Sequence, residues 1–242
     1  MRVEIDAGNS RVKWRICTEQ IVESRGVFSN KDIEVFLKAL DQIPSIENIY
    51  IASVSHPSIL NRIATYCSKR GCPLIEAKTK KITAGVTCGY SDPSILGIDR
   101  WLGIVAAYNR FRLPCIIIDA GTTLTIDIVS GDGRHLGGYI LPGKEMSLNI
   151  MNAGAQQIQI NIDNDQNITN PSPGNSTEEC IAKGQILMIK SIIEYLVKNS
   201  EERNKTQIIA TGGNAQDIIN VLGSDAHFDP ELILNGLKFL DL

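Results

Sequence analysis

An internal repeat constrains this chain more than any other feature. Ile5-Asp6-Ala7-Gly8-Asn9-Ser10 returns as Ile118-Asp119-Ala120-Gly121-Thr122-Thr123, offset by about half of the 242 residues. In each copy a short apolar run enters Asp-Ala-Gly, small polar residues follow, and a second strand-like run begins. A recurrence at that distance points to two lobes of similar plan related by duplication. The chain is long enough for two lobes of ordinary domain size.

Apolar periodicity fills in each lobe. The first half reads as strands near 2–6, 12–18 and 21–27, a helix over 31–41, and a buried strand at 49–54. Ile33, Phe36, Leu37 and Leu40 give that helix its spacing. A second helix opens on Pro57, which suits a first helical position, and stops before Gly71; a short strand follows at 74–77. Ile98, Trp101, Leu102 and Val105 stripe a bridging helix over 98–111. The second half repeats the theme with strands near 115–119, 124–129 and 136–140, a helix after Pro142, and another over 178–198. A strand at 207–210 feeds Thr211-Gly212-Gly213-Asn214-Ala215 and a helix, and a closing helix covers 231–240. Residues 161–175 carry two prolines in a polar stretch and read as a loop. The expected lobes are 1–112, with the bridging helix, and 113–242.

Hydrophobic residues make up 43% of the chain, enough for a real core, and the formal net charge of −3 comes without a basic cluster. No nucleic-acid partner is therefore expected. Lys78, Lys80 and Lys81 form the one dense basic run and read as a solvated loop. The six cysteines show no C-x-x-C spacing, and several sit within apolar runs as small core residues would in a thiol-reduced protein. His56, His135 and His227 lack partners at catalytic or metal spacing and read as structural. The apolar runs are too short for a bilayer, so no membrane association is expected. The opening residues enter a strand without a basic-then-apolar leader, and a cytoplasmic location is expected.

The repeated turns suit anionic ligands. Glycine lets backbone N–H groups approach phosphate oxygens, and successive N–H groups form an anion pocket. Asn9, Ser10, Thr122 and Thr123 add hydrogen bonds, and Lys13 a point charge. A third glycine turn at Gly212-Gly213 strengthens the pattern. Asp6 and Asp119 are expected at strand ends, facing one another across a cleft. Beside a triphosphate, each unit-charge repulsion at ~4 Å costs about 4 kcal/mol at an effective dielectric near 20. Cations are therefore required, Mg²⁺ first among them.

Gly97-Ile98-Asp99-Arg100 stands where a glycine loop becomes a helix, a place that holds anions well. Asp99 can accept a proton from a hydroxyl and Arg100 can grip a carboxylate in fork geometry. The plain alternative is an early helical acid followed by a surface arginine. Tyr90 either presents its hydroxyl to a substrate amide or half-buries in its loop. Ser176 and Glu179 form a capping box, which leaves Thr177 as a ligand contact or a silent first-turn residue. Strand alternation puts Thr123, Thr125 and Asp127 on one face; both a cleft lining and ordinary solvent exposure fit Asp127.

Taken together, these motifs resemble type III pantothenate kinases along nearly the whole chain. Residues 6–13 look like that family's opening phosphate motif, and residues 97–100 like its pantothenate motif. Residues 119–123 resemble its second nucleotide motif, and Thr211-Gly212-Gly213 its late glycine turn. The resemblance implies an α/β protein whose two similar lobes have the actin-like, ribonuclease H-like fold with a nucleotide cleft between them. It implies transfer of phosphate from ATP to the primary alcohol of pantothenate, the first committed step to coenzyme A. Asp99 would be the proton acceptor. Asp6, Ala7, Gly8, Asn9, Ser10, Arg11, Val12, Lys13 and Thr122 would bind ATP. Tyr90, Gly97, Ile98, Asp99, Arg100 and Thr177 would bind pantothenate. Asp119 would hold potassium or ammonium, and the protein would be a homodimer, Thr177 reaching the partner's pocket. Asn214 departs from the acidic residue expected in many relatives, and Ser10 replaces a usual threonine. Two alternatives stay open on sequence: another small-molecule kinase of the superfamily, and a non-catalytic regulatory factor.

Overall fold

The computed structural model describes the chain except Gln20, His56, residues 155–171, Glu201, Ser224, Asp225, Asp241 and Leu242. His56 and most of the loop expected at 161–175 thus lie outside the described residues. The chain forms two compact units, Met1–Ala106 with Glu231–Leu242, and Ala107–Pro230.

In the first unit β1 (Arg2–Ala7), β2 (Arg11–Thr18), β3 (Ile21–Ser29), β4 (Asn48–Ser53) and β5 (Leu74–Glu76) build a sheet of order β3-β2-β1-β4-β5. β1 and β2 pair antiparallel, as do β2 and β3, whereas β4 lies parallel to β1 and β5. β1 sits in the middle, so both its edges are paired, and its residues are buried on both faces from Val3 to Ala7. Val3, Ile5 and Ala7 join the core formed with α1 (Ile33–Leu40) and α2 (Pro57–Arg70). The helix expected over 31–41 begins instead with a separate 3₁₀ turn, Asn30–Asp32, because the Ser29 side chain accepts the Lys31 N–H and starts the coil early.

The other face of β1 carries charge. Glu4 binds Arg2 and Arg15, and Arg15 goes on to Glu231, Asn235 and the Leu234 carbonyl. These partners belong to α7 (Leu232–Leu237) and the residue before it. The closing helix, grouped by sequence with the second half, packs on β1 and β4. Its Leu232, Ile233, Leu234 and Leu237 are all buried, so it needs a covered site on every side.

A small hairpin, β6 (Ile82–Thr83) and β7 (Val86–Thr87), went unread in the sequence. Its turn residues Ala84 and Gly85 both have positive φ, 46° and 83°, as a two-residue hairpin turn requires. Asparagine before glycine announces such a turn; alanine does not. The bridging helix α3 (Ile98–Phe111) has the bounds expected, with Trp101, Leu102 and Val105 fully buried.

The second unit repeats the plan. β8 (Cys115–Ala120), β9 (Thr123–Val129), β10 (His135–Pro142), β11 (Gln207–Thr211) and β12 (Ala226–Phe228) take the order β10-β9-β8-β11-β12. The antiparallel and parallel pairings match the first sheet strand for strand. β12 is too short to have shown in the sequence. α4 (Lys144–Gly154) follows β10, and α5 (Thr177–Lys198) and α6 (Ala215–Leu222) seat Ile193, Ala215 and Ile218 against Ile116, Ile118 and Ile126.

Asp127 follows neither reading offered above. It is 2% exposed and lies 3.0 Å from Nε2 of His135, so a buried carboxylate–imidazole contact replaces both cleft lining and solvent exposure. His135 therefore has an acidic partner that spacing did not reveal, because β9 and β10 bring it across the hairpin. His227 lies 3.2 Å from the Gln207 amide oxygen. Cys17, Cys67, Cys72, Cys88 and Cys115 are buried as expected, and burial pushes the Cys115 thiol up to about 12. Cys180 is exposed.

Candidate active site

At the first acid-glycine turn, Asp6 is buried at the end of β1, directly opposite Lys13 in the register with β2. The turn closes through Gly8 N–H to the Arg11 carbonyl at 3.1 Å. Asn9, Ser10 and Arg11 are exposed. Ala7 and Val12 are fully buried, so their side chains serve the core and only their backbone can meet phosphate. Asn30 holds the turn from outside: its amide donates to the carbonyls of Gly8 at 3.2 Å and Asn9 at 2.9 Å. With those carbonyls turned away, the turn is freer to present N–H groups.

At the start of α3 the structure brings five expected residues together. Asp99 accepts the Arg100 N–H on Oδ1 at 2.7 Å. A Cβ on Gly97 would stand 2.7 Å from that same oxygen, so glycine is what leaves the carboxylate its place. Arg100 donates to the Tyr90 hydroxyl at 3.1 Å. Ile98 is buried and anchors the helix start. The Tyr90 loop is pinned by Lys81, whose ammonium donates to the carbonyls of Cys88 at 2.9 Å and Tyr90 at 3.3 Å. Lys81 thus corrects the solvated-loop reading: it stays exposed, but its head group is occupied.

In the second unit the turn is tighter. Gly121 donates to the Thr123 carbonyl at 3.0 Å, and Ala120 pairs with Leu124 where Ala7 pairs with Val12. Thr122 is exposed at its tip and Asp119 half-buried at its base. Two later glycines press on this turn. Gly143 donates to the Thr122 carbonyl at 3.2 Å, and a Cβ there would stand 2.4 Å from that oxygen. Gly212 has φ +96°, and a Cβ on it would meet Asp119 Oδ1 at 2.5 Å and the Ala120 backbone at 2.6 Å. Beside the turn opens a pocket walled by Leu124, Ile186, Ile189, Ile218 and Leu222. Gly121, Gly143 and Asn214 border it, with Lys144 bound to Asp217 at 3.1 Å. A glycine turn beside an apolar slot suits a ligand that is anionic at one end and flat and apolar at the other.

Residues 2–199 match the family model of type III pantothenate kinases. The chain belongs to that family. A type III pantothenate kinase from Cellvibrio japonicus is 31% identical, the alignment covering 100% of this chain and 98% of the relative. Solved structures share the fold. A candidate Baf family transcriptional activator from Campylobacter jejuni superposes with TM-score 0.63 at 21% identity, covering 98% of this chain and 95% of its own. A candidate N-acetylmannosamine kinase from Listeria monocytogenes gives 0.56 at 12%, covering 99% and 98%. Both sheets of this type III pantothenate kinase family member thus carry the actin-like plan expected. At such identities the likeness speaks for the fold alone.

A cation of the kind the sequence resemblance implies would ask for oxygen ligands. Asp119 offers a carboxylate. Its register partner Thr211 is 1% exposed, and the Thr211 hydroxyl has no hydrogen-bond partner among the described residues. A buried hydroxyl left unpaired beside a carboxylate, with no side chain on Gly212 between, fits a small cation. Thr177 is exposed at the first position of α5. Ser176 accepts the Glu179 N–H at 3.2 Å as the capping box requires, but the Glu179 carboxylate reaches one residue further back, to the Asn175 N–H at 3.1 Å. Thr177 is not a cap.

Asn30 and Gly143 escaped the sequence reading, yet a signal existed. Ser29 pairs with Arg11, and Pro142 with Thr123, so Asn30 and Gly143 each follow the third strand of their unit. Each binds the acid-glycine turn of its own unit. Carrying the repeat three strands onward would have found both.

Proposed function

We propose that this chain transfers the γ-phosphoryl group of ATP to the primary alcohol of pantothenate, giving 4′-phosphopantothenate. Family membership makes it a pantothenate kinase. The observation that carries the residue assignment is the group at the start of α3: an acid, a guanidinium bonded to a phenol, and a helix N-terminus within one unit. Pantothenate has a carboxylate, an amide and two hydroxyls, and each finds a counterpart there.

In this reading Arg100 and Tyr90 hold the carboxylate and amide ends, with the backbone of Gly97 and Ile98 at the helix start. Asp99 accepts the proton of the attacking hydroxyl. General-base help is typically worth about 10²–10⁴-fold, less where the transition state is loose and positioning dominates. Residues 6–13 and Thr122 bind the phosphates through turn N–H groups, hydroxyls and the Lys13 ammonium. The nucleoside end occupies the apolar slot of the second unit. A divalent ion, Mg²⁺ by charge and hardness, would be held near Asp6, and a potassium or ammonium ion by Asp119 and Thr211. Bound there, such ions neutralise the developing negative charge.

The active form in this reading is a homodimer. Leu136, Tyr139 and Ile140 on edge strand β10 and Ile150 and Met151 on α4 are exposed apolar residues on two elements that pack together. An exposed apolar edge of this kind is favoured for burial against a second copy. Thr177 would then face the partner's pantothenate. No helix among the described residues is long and apolar enough to cross a membrane, and a cytoplasmic location agrees with buried free thiols.

An ADP-release assay with and without pantothenate tests the reading, repeated in sodium, potassium and ammonium. ADP release that needs pantothenate and rises in potassium or ammonium is expected. Turnover driven by a sugar and indifferent to pantothenate would overturn it.

A further inference from the structure

We propose that Thr79, Lys81 and Thr83 are positioning residues for the pantothenate pocket, and that Lys81 sets the affinity for pantothenate by holding Tyr90 against Arg100. This rests on the placement of pantothenate at the start of α3. The residues of that pocket come from three stretches of chain: Tyr90 from the loop after β7, Gly97 from the turn before α3, and Asp99 and Arg100 from its first turn. One short segment ties all three. The Thr79 hydroxyl donates to the Leu96 carbonyl at 2.9 Å, directly before Gly97. The Lys81 ammonium donates to the carbonyls of Cys88 at 2.9 Å and Tyr90 at 3.3 Å. The Thr83 hydroxyl accepts the indole N–H of Trp101 at 3.3 Å, directly after Arg100.

These are alternate residues along the chain, and each reaches its partner with a side chain. The hairpin β6–β7 supplies the base they stand on. Ile82 pairs with Thr87 and Thr83 with Val86, and the Cys88 N–H donates to the Lys81 carbonyl at 2.9 Å, so Lys81 and Cys88 close the open end. From that fixed root the lysine side chain returns to the strand it faces and crosses to Tyr90.

An ammonium is strongly hydrated and sits on a flexible stem, so a surface lysine ordinarily keeps its head group in water. Here two of its three donors meet main-chain carbonyls on either side of Gly89. Holding the Tyr90 carbonyl fixes how the chain enters that residue, and the phenol in turn accepts the Arg100 N–H at 3.1 Å. A guanidinium already held on a phenol gives up less freedom when it grips a carboxylate. Preorganisation of that kind lowers the cost of binding without adding a contact to the ligand. Lys81 therefore acts on pantothenate affinity through Tyr90 and Arg100, and leaves the phosphate turns alone.

Steady-state kinetics with pantothenate and ATP test this. Lys81→Met keeps the stem and loses the donors, so KM for pantothenate should rise about tenfold while KM for ATP stays within about twofold of wild type. Lys81→Arg keeps charge and donors and should recover most of the loss. Thr79→Val removes a neutral bond and should raise KM for pantothenate about fivefold. Lys80→Met removes the same charge from an exposed neighbour and should leave both KM values unchanged. In a Tyr90→Phe background, Lys81→Met should add less than about twofold, because the two residues act in series. An unchanged KM for pantothenate in Lys81→Met, an equal rise in Lys80→Met, or full additivity with Tyr90→Phe would overturn the positioning role. Arg100→Ala separates the two failures. If it leaves KM for pantothenate unchanged, the substrate is not held there and both readings fall. If it raises that KM while Lys81→Met does not, the positioning role alone falls.

Discussion

Asp99 and Gly97 act as a pair at the start of α3. Asp99→Asn keeps size and shape but would remove the proposed proton acceptor, so kcat is expected to drop about 100-fold or more with the melting midpoint near wild type. Turnover within a few-fold of wild type would remove Asp99 from that role. Gly97→Ala tests the pairing from the other side. Its Cβ would stand 2.7 Å from the Asp99 carboxylate, a flexible group that can swing aside. Circular dichroism should therefore show a folded protein, while kcat falls roughly tenfold because the carboxylate is displaced. At this scale the sequence was most informative where backbone shape carries the chemistry. Glycine turns and a helix start can be recognised from residue type alone. Lys81 and Asn30 could not, since each acts through backbone carbonyls elsewhere in the chain.

Among the elements, the charged face of β1 explains why α7 sits where it does. Burial pushes the Glu231 carboxyl up, but hydrogen bonds and charge from Arg25 and Arg15 outweigh it and hold the group below its ordinary range. A depressed folded-state value means that the pair's stabilisation is complete above the unfolded value of about 4.3 and fades as pH falls through the folded one. Glu231→Gln should cost about 2 kcal/mol, because it strands the largely buried Arg15 without one of its carboxylates. The gap in melting midpoint between wild type and Glu231→Gln should hold from pH 7 to about 5 and close below that. A gap constant down to pH 3 would contradict the assignment. Every strand of the two sheets except β12, together with α1, α2 and α3, was legible, most of them because their apolar periods are long. β6, β7 and β12 have two or three residues each, too few for a period to show. The placement of α7 was hidden for another reason. Its apolar residues announce burial without naming the surface that buries them.

For the molecule as a whole, the exposed apolar residues of β10 and α4 bear on assembly. Ile140→Asp places a charge on that edge and is expected to shift the protein from dimer to monomer in light scattering after size exclusion. A dimer that persists would redirect the search to another face. The duplication was visible at this scale in a single short repeat, and the structure extends it to ten strands in matching order. The compact units do not follow chain order, however. Glu231–Leu242 is counted with Met1–Ala106. On a translating ribosome, the sheet that emerges earliest must wait through the synthesis of everything up to residue 230 before its covering helix exists. At ~5–20 residues per second that wait is on the order of ten seconds. The half that is born first is finished last, and until residues 231–235 emerge, Arg15 on its bare face turns to water in place of Glu231 and Asn235.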